Sequence, residues 1–397
     1  VIDRDQLPLE NAPAPAPRGR PTFVFVGGGT GGHIYPGLAI GEQLDAIAGA
    51  ASVRHVHVCS DRAVDRAVLE PEGVEFAALD ARPLGLRPRA LLKFLTSWGR
   101  SIRKARKLYR ALRADAAGAP VRVVALGGFV AAPCVQAARA EGLDITLVNL
   151  DAQPGKANRW IARHAARAIT ALPTVAPFAR SWEVVPPIVR ASAKGGDREQ
   201  CRQSVGADSG QRVLMITGGS LGAESINNAM IQMLPALAPV FRDGHWRVLH
   251  QCGGGIDAQR TADELARVYD QQGVPAMVTP RVRQLGDWWG AADLAISRAG
   301  AGSVGEAWAN QTPTIFLPYP YHRDEHQRLN AQRLVSVGGA AVERDRIDPG
   351  VNALALTKML VEILQDDDRR AQMRRALATL GPADGASRVA RALLAVR

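Results

Sequence analysis

Two stretches of this chain have the residue types needed to hold a phosphorylated ligand. Phe23-Val24-Phe25-Val26 runs into Gly27-Gly28-Gly29-Thr30-Gly31-Gly32-His33, and Val213-Leu214-Met215-Ile216 runs into Thr217-Gly218-Gly219-Ser220-Leu221-Gly222-Ala223. In both, an apolar run of strand length gives way to glycines and then to a helical pattern. Glycines permit a tight turn and close approach of a ligand to the backbone, while free N–H groups at a helix start attract anions. Two such loops facing one another would make an inter-domain cleft suited to a diphosphate. His33 stands at the tip of the first loop, and imidazole titrates in the range a general base needs. In Asp293-Leu-Ala-Ile-Ser-Arg298-Ala-Gly300-Ala301-Gly302-Ser303-Val-Gly-Glu306, a strand ends at Ser297 and Glu306 follows one turn into a helix. A carboxylate there can accept from both hydroxyls of a ribose while the helix amides hold its phosphate. Gln327 and Asn330 lie on one helix face, as a reader of sugar hydroxyls requires.

The same residues spell other motifs. Gly27-x-Gly29-x-x-Gly32 matches a dinucleotide fingerprint with Asp61 as the ribose acid, which would make the chain an NAD(P) or FAD oxidoreductase. That leaves His33 and the second loop without a task. Gly218-x-Ser220-x-Gly222 matches a nucleophile elbow, with Asp293 and then His322 or His326 completing an α/β-hydrolase order, but the first half of the chain then has no role. His322-Arg323-Asp324-Glu325-His326 spells an inverted zinc motif, yet it follows Pro318-Tyr319-Pro320, so the first histidine falls in a loop. His55 and His57 share one face of a strand with no third ligand nearby, and Asp366-Asp367-Asp368 reads as a helix N-cap with first-turn acids. No metal site and no cofactor is expected.

The elements that must position these groups alternate. Thr22–Val26, Val53–Cys59, Val74–Leu79, Val121–Leu126, Ile145–Leu150 and Ala168–Leu172 read as strands separated by helical patterns, which predicts a parallel sheet covered on both faces. Pro186-Pro187 and Lys194-Gly195-Gly196 interrupt the pattern. It restarts with Arg212–Thr217, Trp246–His250, Ala276–Thr279, Asp293–Ser297 and Thr314–Leu317, followed by helical sequence from Pro349 onward. The 397 residues are 47% hydrophobic and 22% charged, enough core for about two domains and incompatible with a mainly disordered chain. No run of about 18 apolar residues occurs, and Val1 to Pro21 lacks a hydrophobic signal core, so neither a spanning helix nor secretion is expected. Cys59, Cys134, Cys201 and Cys252 form no C-x-x-C pair, which suits a reducing, cytoplasmic setting. A formal net charge of +11 and a pI near 10.1 ask for an anionic partner.

Taken in order, the motifs resemble the MurG family, the GT-B glycosyltransferases of family 28 that move N-acetylglucosamine from UDP-GlcNAc to a lipid-linked muramyl-pentapeptide precursor. The resemblance rests on Gly28-Gly29-Thr30-Gly31-Gly32-His33-x-x-Pro36, Gly127-Gly128-Phe129-Val130-x-x-Pro133, Pro154-Gly155-x-x-Asn158 and Arg190 after the double proline. It continues through Gly218-Gly219-Ser220-x-Gly222-Ala223-x-x-x-Asn227, Arg298-x-Gly300-Ala301 to Glu306, and His326-Gln327-x-x-Asn330-Ala331. It implies two Rossmann-like parallel-sheet domains facing across a cleft, and inversion at the anomeric carbon without a bound metal. The divisions expected are a flexible tail at 1–20, an acceptor and membrane-side domain at 21–186, a linker at 187–210 and a UDP-sugar domain at 211–380. A helix at 381–397 would pack back on the first domain.

The resemblance also implies roles. His33 is the base. Thr30, Gly31, Gly32, Arg190, Ser220, Val282, Ala301, Glu306, Gln327 and Asn330 meet the donor, with Glu306 on the ribose and the backbone near Val282 on the uracil. Gly128, Asp151 and Asn158 meet the acceptor. Two departures stand out: Val148-Asn149-Leu150-Asp151 replaces the usual His-Glu-Gln-Asn, and Arg281 stands where an aromatic is usual. A related UDP-sugar transferase with another glycolipid or polysaccharide acceptor is the alternative.

Between Asp80 and Asp115 there is no acidic residue, but there are eleven arginines and lysines. Leu91, Leu95, Trp98, Ile102, Tyr109 and Leu112 share one helical stripe, with Lys93, Arg100, Arg103, Lys107 and Arg110 mainly opposite. Leu84, Leu86, Leu92 and Phe94 among so many cations suit an anionic membrane surface, and the resemblance implies that this is the inner face of the cell membrane. Nucleic acid is disfavoured by the scarcity of interleaved aromatics.

Overall fold

The computed structural model describes residues 8–12, 18–29, 31–83, 88–219, 222–254, 257–321 and 325–395, with the side chains of 88–91 left aside. The chain divides into two compact units, residues 1–190 with 384–397, and residues 191–383.

The first unit runs β1 (Thr22–Gly27), α1 (Tyr35–Ala48), β2 (Arg54–Ser60), α2 (Ala63–Leu69), β3 (Glu75–Leu79), α3 (Pro88–Asp115), β4 (Val121–Gly127), α4 (Gly128–Ala140), β5 (Asp144–Asn149), α5 (Lys156–Ala162), β6 (Arg167–Thr170) and β7 (Glu183–Val184). Its strands lie in the order β3-β2-β1-β4-β5-β6-β7, and every pair is parallel. β1 and β4 are buried along their whole length, as mostly apolar strands at the centre of a sheet covered on both faces must be.

The second unit runs α6 (Arg198–Ser204), β8 (Arg212–Thr217), α7 (Glu224–Asp243), β9 (Trp246–Gln251), α8 (Ala258–Gln271), β10 (Ala276–Thr279), α9 (Leu285–Ala291), β11 (Leu294–Ser297), α10 (Ala301–Ala309), β12 (Thr314–Phe316), α11 (His326–Ser336), β13 (Ala340–Val342), α12 (Pro349–Leu364) and α13 (Asp367–Ala378). The strand order is β10-β9-β8-β11-β12-β13, again wholly parallel. The closing helix α14 (Gly385–Leu394) belongs to the first unit: it packs on α1, and Gly385 N–H donates to Pro187 O at 3.2 Å.

In each sheet the strand order reverses between two central neighbours, β1 and β4 in one and β8 and β11 in the other. The crevice beyond the carboxyl ends of such a pair is where open α/β sheets bind ligands. Both glycine loops leave from these strands.

Several expectations need correction. The stretch 187–210 contains α6, whose start is capped by Asp197 accepting from Gln200 N at 3.1 Å and whose Cys201 is buried. Arg198 and Arg202 hold it to Asp293. Gly195-Gly196 stand directly before that cap, so a glycine-rich stretch hides a helix start. Within the expected tail, Glu10 forms an antiparallel bridge with Phe76, and its carboxylate takes Arg66 at 2.5 Å. In α3 the stripe is buried at Ser97, Ser101, Ala105, Leu108, Tyr109 and Leu112, against α4, whereas Leu95 is 58% exposed. Leu84, Leu86 and Arg87 lie outside the described residues.

Candidate active site

The first loop rises from β1 and meets the turn between β4 and α4. His33 is half-buried there, and its Nδ1 lies 3.2 Å from Leu126 O, so Nδ1 carries the proton and Nε2 is left as the basic nitrogen. Burial lowers the pKa of His33; the negative charges of Asp151 and Asp65 and the Leu126 carbonyl oppose this. The ring is seated by glycine. Gly128 has φ +78°, and a Cβ there would stand 2.6 Å from Gly28 O and 3.0 Å from His33 Cδ2. Asn158 lies beside the ring, buried, with its Nδ2 donating to Asn149 Oδ1 at 2.9 Å and its own Oδ1 without a hydrogen-bond partner. Asn149 is fully buried and bridges to Asp151 O at 2.7 Å and Thr170 Oγ1 at 2.9 Å. His33, Gly128, Asp151 and Asn158 therefore form one cluster.

The second loop has a neutral scaffold. Thr217 Oγ1 accepts from Gly219 N at 3.1 Å and donates to Gln251 Oε1 at 2.7 Å. Asn227 donates to Cys252 O at 3.0 Å and accepts from His250 Nε2 at 3.0 Å, while Tyr269 OH donates to His250 Nδ1 at 3.0 Å. Burial drives the His250 pKa down to about 3, so this brace is uncharged. Gly222 has φ +76°, and a Cβ there would fall 2.3 Å from Cys252 O, which forces the loop and the end of β9 together.

Beyond β11, α10 starts at Gly300-Ala301 with no side-chain cap, leaving its first amides open to an anion. Glu306 is half-buried; its Oε2 accepts from Trp289 Nε1 at 3.1 Å. Burial pushes its pKa up to about 7, with the indole N–H pulling the other way. The loop is braced from below by Arg298, which donates to Asp345 Oδ2 at 2.7 Å, Ser225 Oγ at 2.7 Å and Leu317 O at 2.9 Å. Four donors, from Ser225, Asn352, Ile347 and Arg298, hold the Asp345 carboxyl below the usual range against its burial.

Comparison with known proteins places these features. Residues 23–170 match the glycosyltransferase family 28 N-terminal domain and residues 213–389 match the glycosyltransferase family 28 C-terminal domain. A protein of Desulforudis audaxviator, described as UDP-N-acetylglucosamine--N-acetylmuramyl-(pentapeptide) pyrophosphoryl-undecaprenol N-acetylglucosamine transferase, is 34% identical over 90% of this chain and 94% of its own length. One of Salinibacter ruber with the same description is 33% identical over 95% and 97%. This chain belongs to glycosyltransferase family 28. Among solved structures, Acinetobacter baumannii MurG superposes with a TM-score of 0.63 at 22% identity, covering 95% of this chain and 99% of that one, which establishes the shared GT-B fold.

Within this family 28 chain the other expected residues fall in different places. Thr30, Ser220 and His322 lie outside the described residues. Gly31 is buried and Gly32 exposed. Arg190 is held within the first unit, with Nε donating to Glu42 at 2.9 Å and both terminal nitrogens to Glu72 at 2.7 Å. Gln327 Oε1 accepts from Tyr319 N at 2.8 Å, and Asn330, fully buried, donates to Ala299 O at 3.2 Å, so both amides tie α11 to the loops beyond β11 and β12. Val282 follows β10 in a turn closed by Thr279 Oγ1 on Arg281 O, and the Arg281 guanidinium lies over Gly254.

Competing motifs lose their partners. Asp61 forms a bidentate pair with Arg82, and His57 stacks on Phe25 beneath α1. Among the described residues no cluster of three or more His, Cys, Asp or Glu side chains is arranged to hold a metal, and no helix is long and apolar enough to cross a membrane. Asp366 caps α13, accepting from Arg369 N at 2.8 Å. Sequence reasoning missed Asp65, Trp289 and Asp345. Asp65 had a signal, since it lies one turn before Leu69 on the buried face of α2; Asp345, between two arginines, had none.

Proposed function

We propose that this chain transfers N-acetylglucosamine from UDP-GlcNAc, with inversion, to a lipid-linked N-acetylmuramyl-pentapeptide. The acceptor hydroxyl attacks the anomeric carbon, the bond from that carbon to the diphosphate oxygen breaks, and the hydroxyl proton passes to His33 Nε2 as UDP leaves. The observation that carries this reading is the His33 cluster at the switch point of the first sheet: a tautomer with Nε2 free, Asp151 beside it and an unpartnered buried acceptor on Asn158. The second glycine loop and the uncapped start of α10 receive the diphosphate, where fixed N–H groups stabilise the charge that develops on the leaving group. Glu306 takes the ribose hydroxyls. The N-terminal turns of α3, with exposed Leu92, Lys93 and Leu95, rest on the anionic inner face of the cell membrane, where the lipid-linked acceptor is found.

The exchange that leaves Asn149 buried and Asp151 beside His33 favours one second reading, a different glycolipid acceptor. One experiment separates them. Purified protein is incubated with UDP-GlcNAc and a lipid-linked muramyl-pentapeptide analogue, and UDP release and product mass are followed. A disaccharide product with stoichiometric UDP supports the proposal; no product with this acceptor, but product with another polyprenyl glycolipid, supports the second reading.

A further inference from the structure

Asp65 bonds directly to the first glycine loop, and neither the donor nor the acceptor chemistry above uses it. Its side chain is fully buried on α2. Oδ2 accepts from Gly29 N at 2.7 Å, Ser60 N at 2.9 Å and Ser60 Oγ at 2.5 Å, while Oδ1 is buried without a partner. The fit is close, since a Cβ on Gly28 would stand 2.6 Å from Oδ2. Two consequences follow from the chemistry. The Gly29 N–H, which a phosphate cradle would offer to a ligand, is already committed to a carboxylate. A negative charge under a loop also repels an anion and favours a cation, and the Asp65 charge acts on His33 in that sense.

We propose that Asp65 is a positioning residue for His33, fixing the first loop through Gly29 and setting a negative charge behind it that favours proton transfer to the imidazole. The inference rests on the reading of His33 as base. The charged groups bearing on His33 are Asp151 after β5 and Asp65 from α2, which act in the same sense. Arg62, at the start of α2, stands by the same loop, its guanidinium 3.4 Å from Gly29 O and over the Phe129 ring. The first loop is then a base-supporting device, and the diphosphate falls to the second.

The test is Asp65→Asn. Its amide oxygen can take the three donors while the NH2 turns to the side where Oδ1 had no partner, so the fold is kept and the charge is removed. The expected result is a turnover lowered by about tenfold, with the acid limb of the kcat/KM profile moved to lower pH by up to about one unit and UDP affinity unchanged. NMR titration of the His33 ring should show the same downward shift without reference to activity. Asp65→Glu, which retains the charge, should restore the limb. An unmoved limb and an unmoved ring titration, in a background where His33→Gln is inactive, overturn the role of Asp65 alone. Wild-type turnover in His33→Gln overturns the base and this inference together. Tighter UDP binding by Asp65→Asn would show that the loop is a phosphate cradle, and also overturns it. Should Asp65→Asn not fold, Ser60→Ala removes one donor and keeps the charge; it is expected to lose turnover several-fold with the limb in place, and undiminished turnover there rejects the positioning role.

Discussion

The two glycine loops begin alike and end differently. Each leaves the carboxyl end of a buried central strand beside the point where strand order reverses, and each is pressed against a neighbouring turn so closely that a side chain at Gly128 or Gly222 would collide with backbone. Beneath the first lies a carboxylate, Asp65, and at its tip a histidine whose basic nitrogen is free. Beneath the second lie Thr217, Gln251, Asn227 and a histidine kept neutral by burial. On the function proposed above, one backbone device serves two purposes by what stands under it: a negative charge suits proton acceptance, and an uncharged brace leaves N–H groups to an anion.

That contrast can be broken most directly at His33. His33→Ala should lower kcat by about 10²-fold or more with UDP affinity nearly unchanged, because a base acts on the acceptor and not on the nucleotide. Calorimetry showing an equal loss of UDP binding would mean that both loops serve the donor. Next in size is Glu306→Ala, expected to weaken UDP and UDP-GlcNAc alike by about 1.5–3 kcal/mol through lost charge-assisted hydrogen bonds; an unchanged UDP dissociation constant rejects the ribose role. A pH test sharpens it. Because burial pushes the free carboxyl up to about 7 and ribose hydroxyls donate to the ionised form, UDP affinity should rise from pH 6 to pH 8 and level off above, with proton release on binding. Glu306→Gln should show a flat profile. Trp289→Phe removes the N–H that favours ionisation, so the rise should move to higher pH and UDP affinity at neutral pH should fall by about 0.5–1 kcal/mol, with little change for 2′-deoxy-UDP. An equal loss for both nucleotides would reduce Trp289 to packing.

Legibility in the sequence followed the length of the physical signal. Eleven of the strands among the described residues, each mostly apolar, were readable, and so were the glycine loops and the Asp366 cap, because each is specified by neighbours in the chain. The strands β7 and β13, of two and three residues, were not, since so short an edge strand carries almost no pattern. Long-range polar closure was also hidden. Arg190 meets carboxylates 148 and 118 residues away, and Arg298 meets Asp345 across 47. Nothing local distinguishes these acids from solvated ones. Leu95 failed for a different reason: helical periodicity states which residues share a face, but not how far along α3 that face is covered, and among the described side chains of α3 burial starts at Ser97.

The comparison of the two units extends to the membrane, where the effect on the chemistry itself should be smallest. In the body of α3 the arginines are partly spoken for: Arg100 pairs with Asp80 at 2.9 Å and Arg106 with Glu141 at 2.6 Å, the arrangement of a packed helix with a solvated face. Its N-terminal turns differ. Leu92 is 63% exposed and Leu95 58%, beside an exposed Lys93, so apolar surface and positive charge occur together at one end. Cations near an anionic bilayer contribute about 1 kcal/mol each, and that contribution fades as salt shortens the Debye length. Changing Arg87, Arg89 and Lys93 together to Glu should release the protein from phosphatidylglycerol vesicles in sedimentation, and raising salt should do the same to the unaltered protein. Activity on a short-chain soluble acceptor should stay within about twofold, since neither glycine loop is touched. Changing Arg260 and Arg267 on α8, in the second unit, to Glu should leave vesicle binding intact. Equal binding by the α3 variant, or equal binding to neutral and anionic vesicles at low salt, would reduce this end of α3 to a solvated helix and take the membrane out of the contrast between the units.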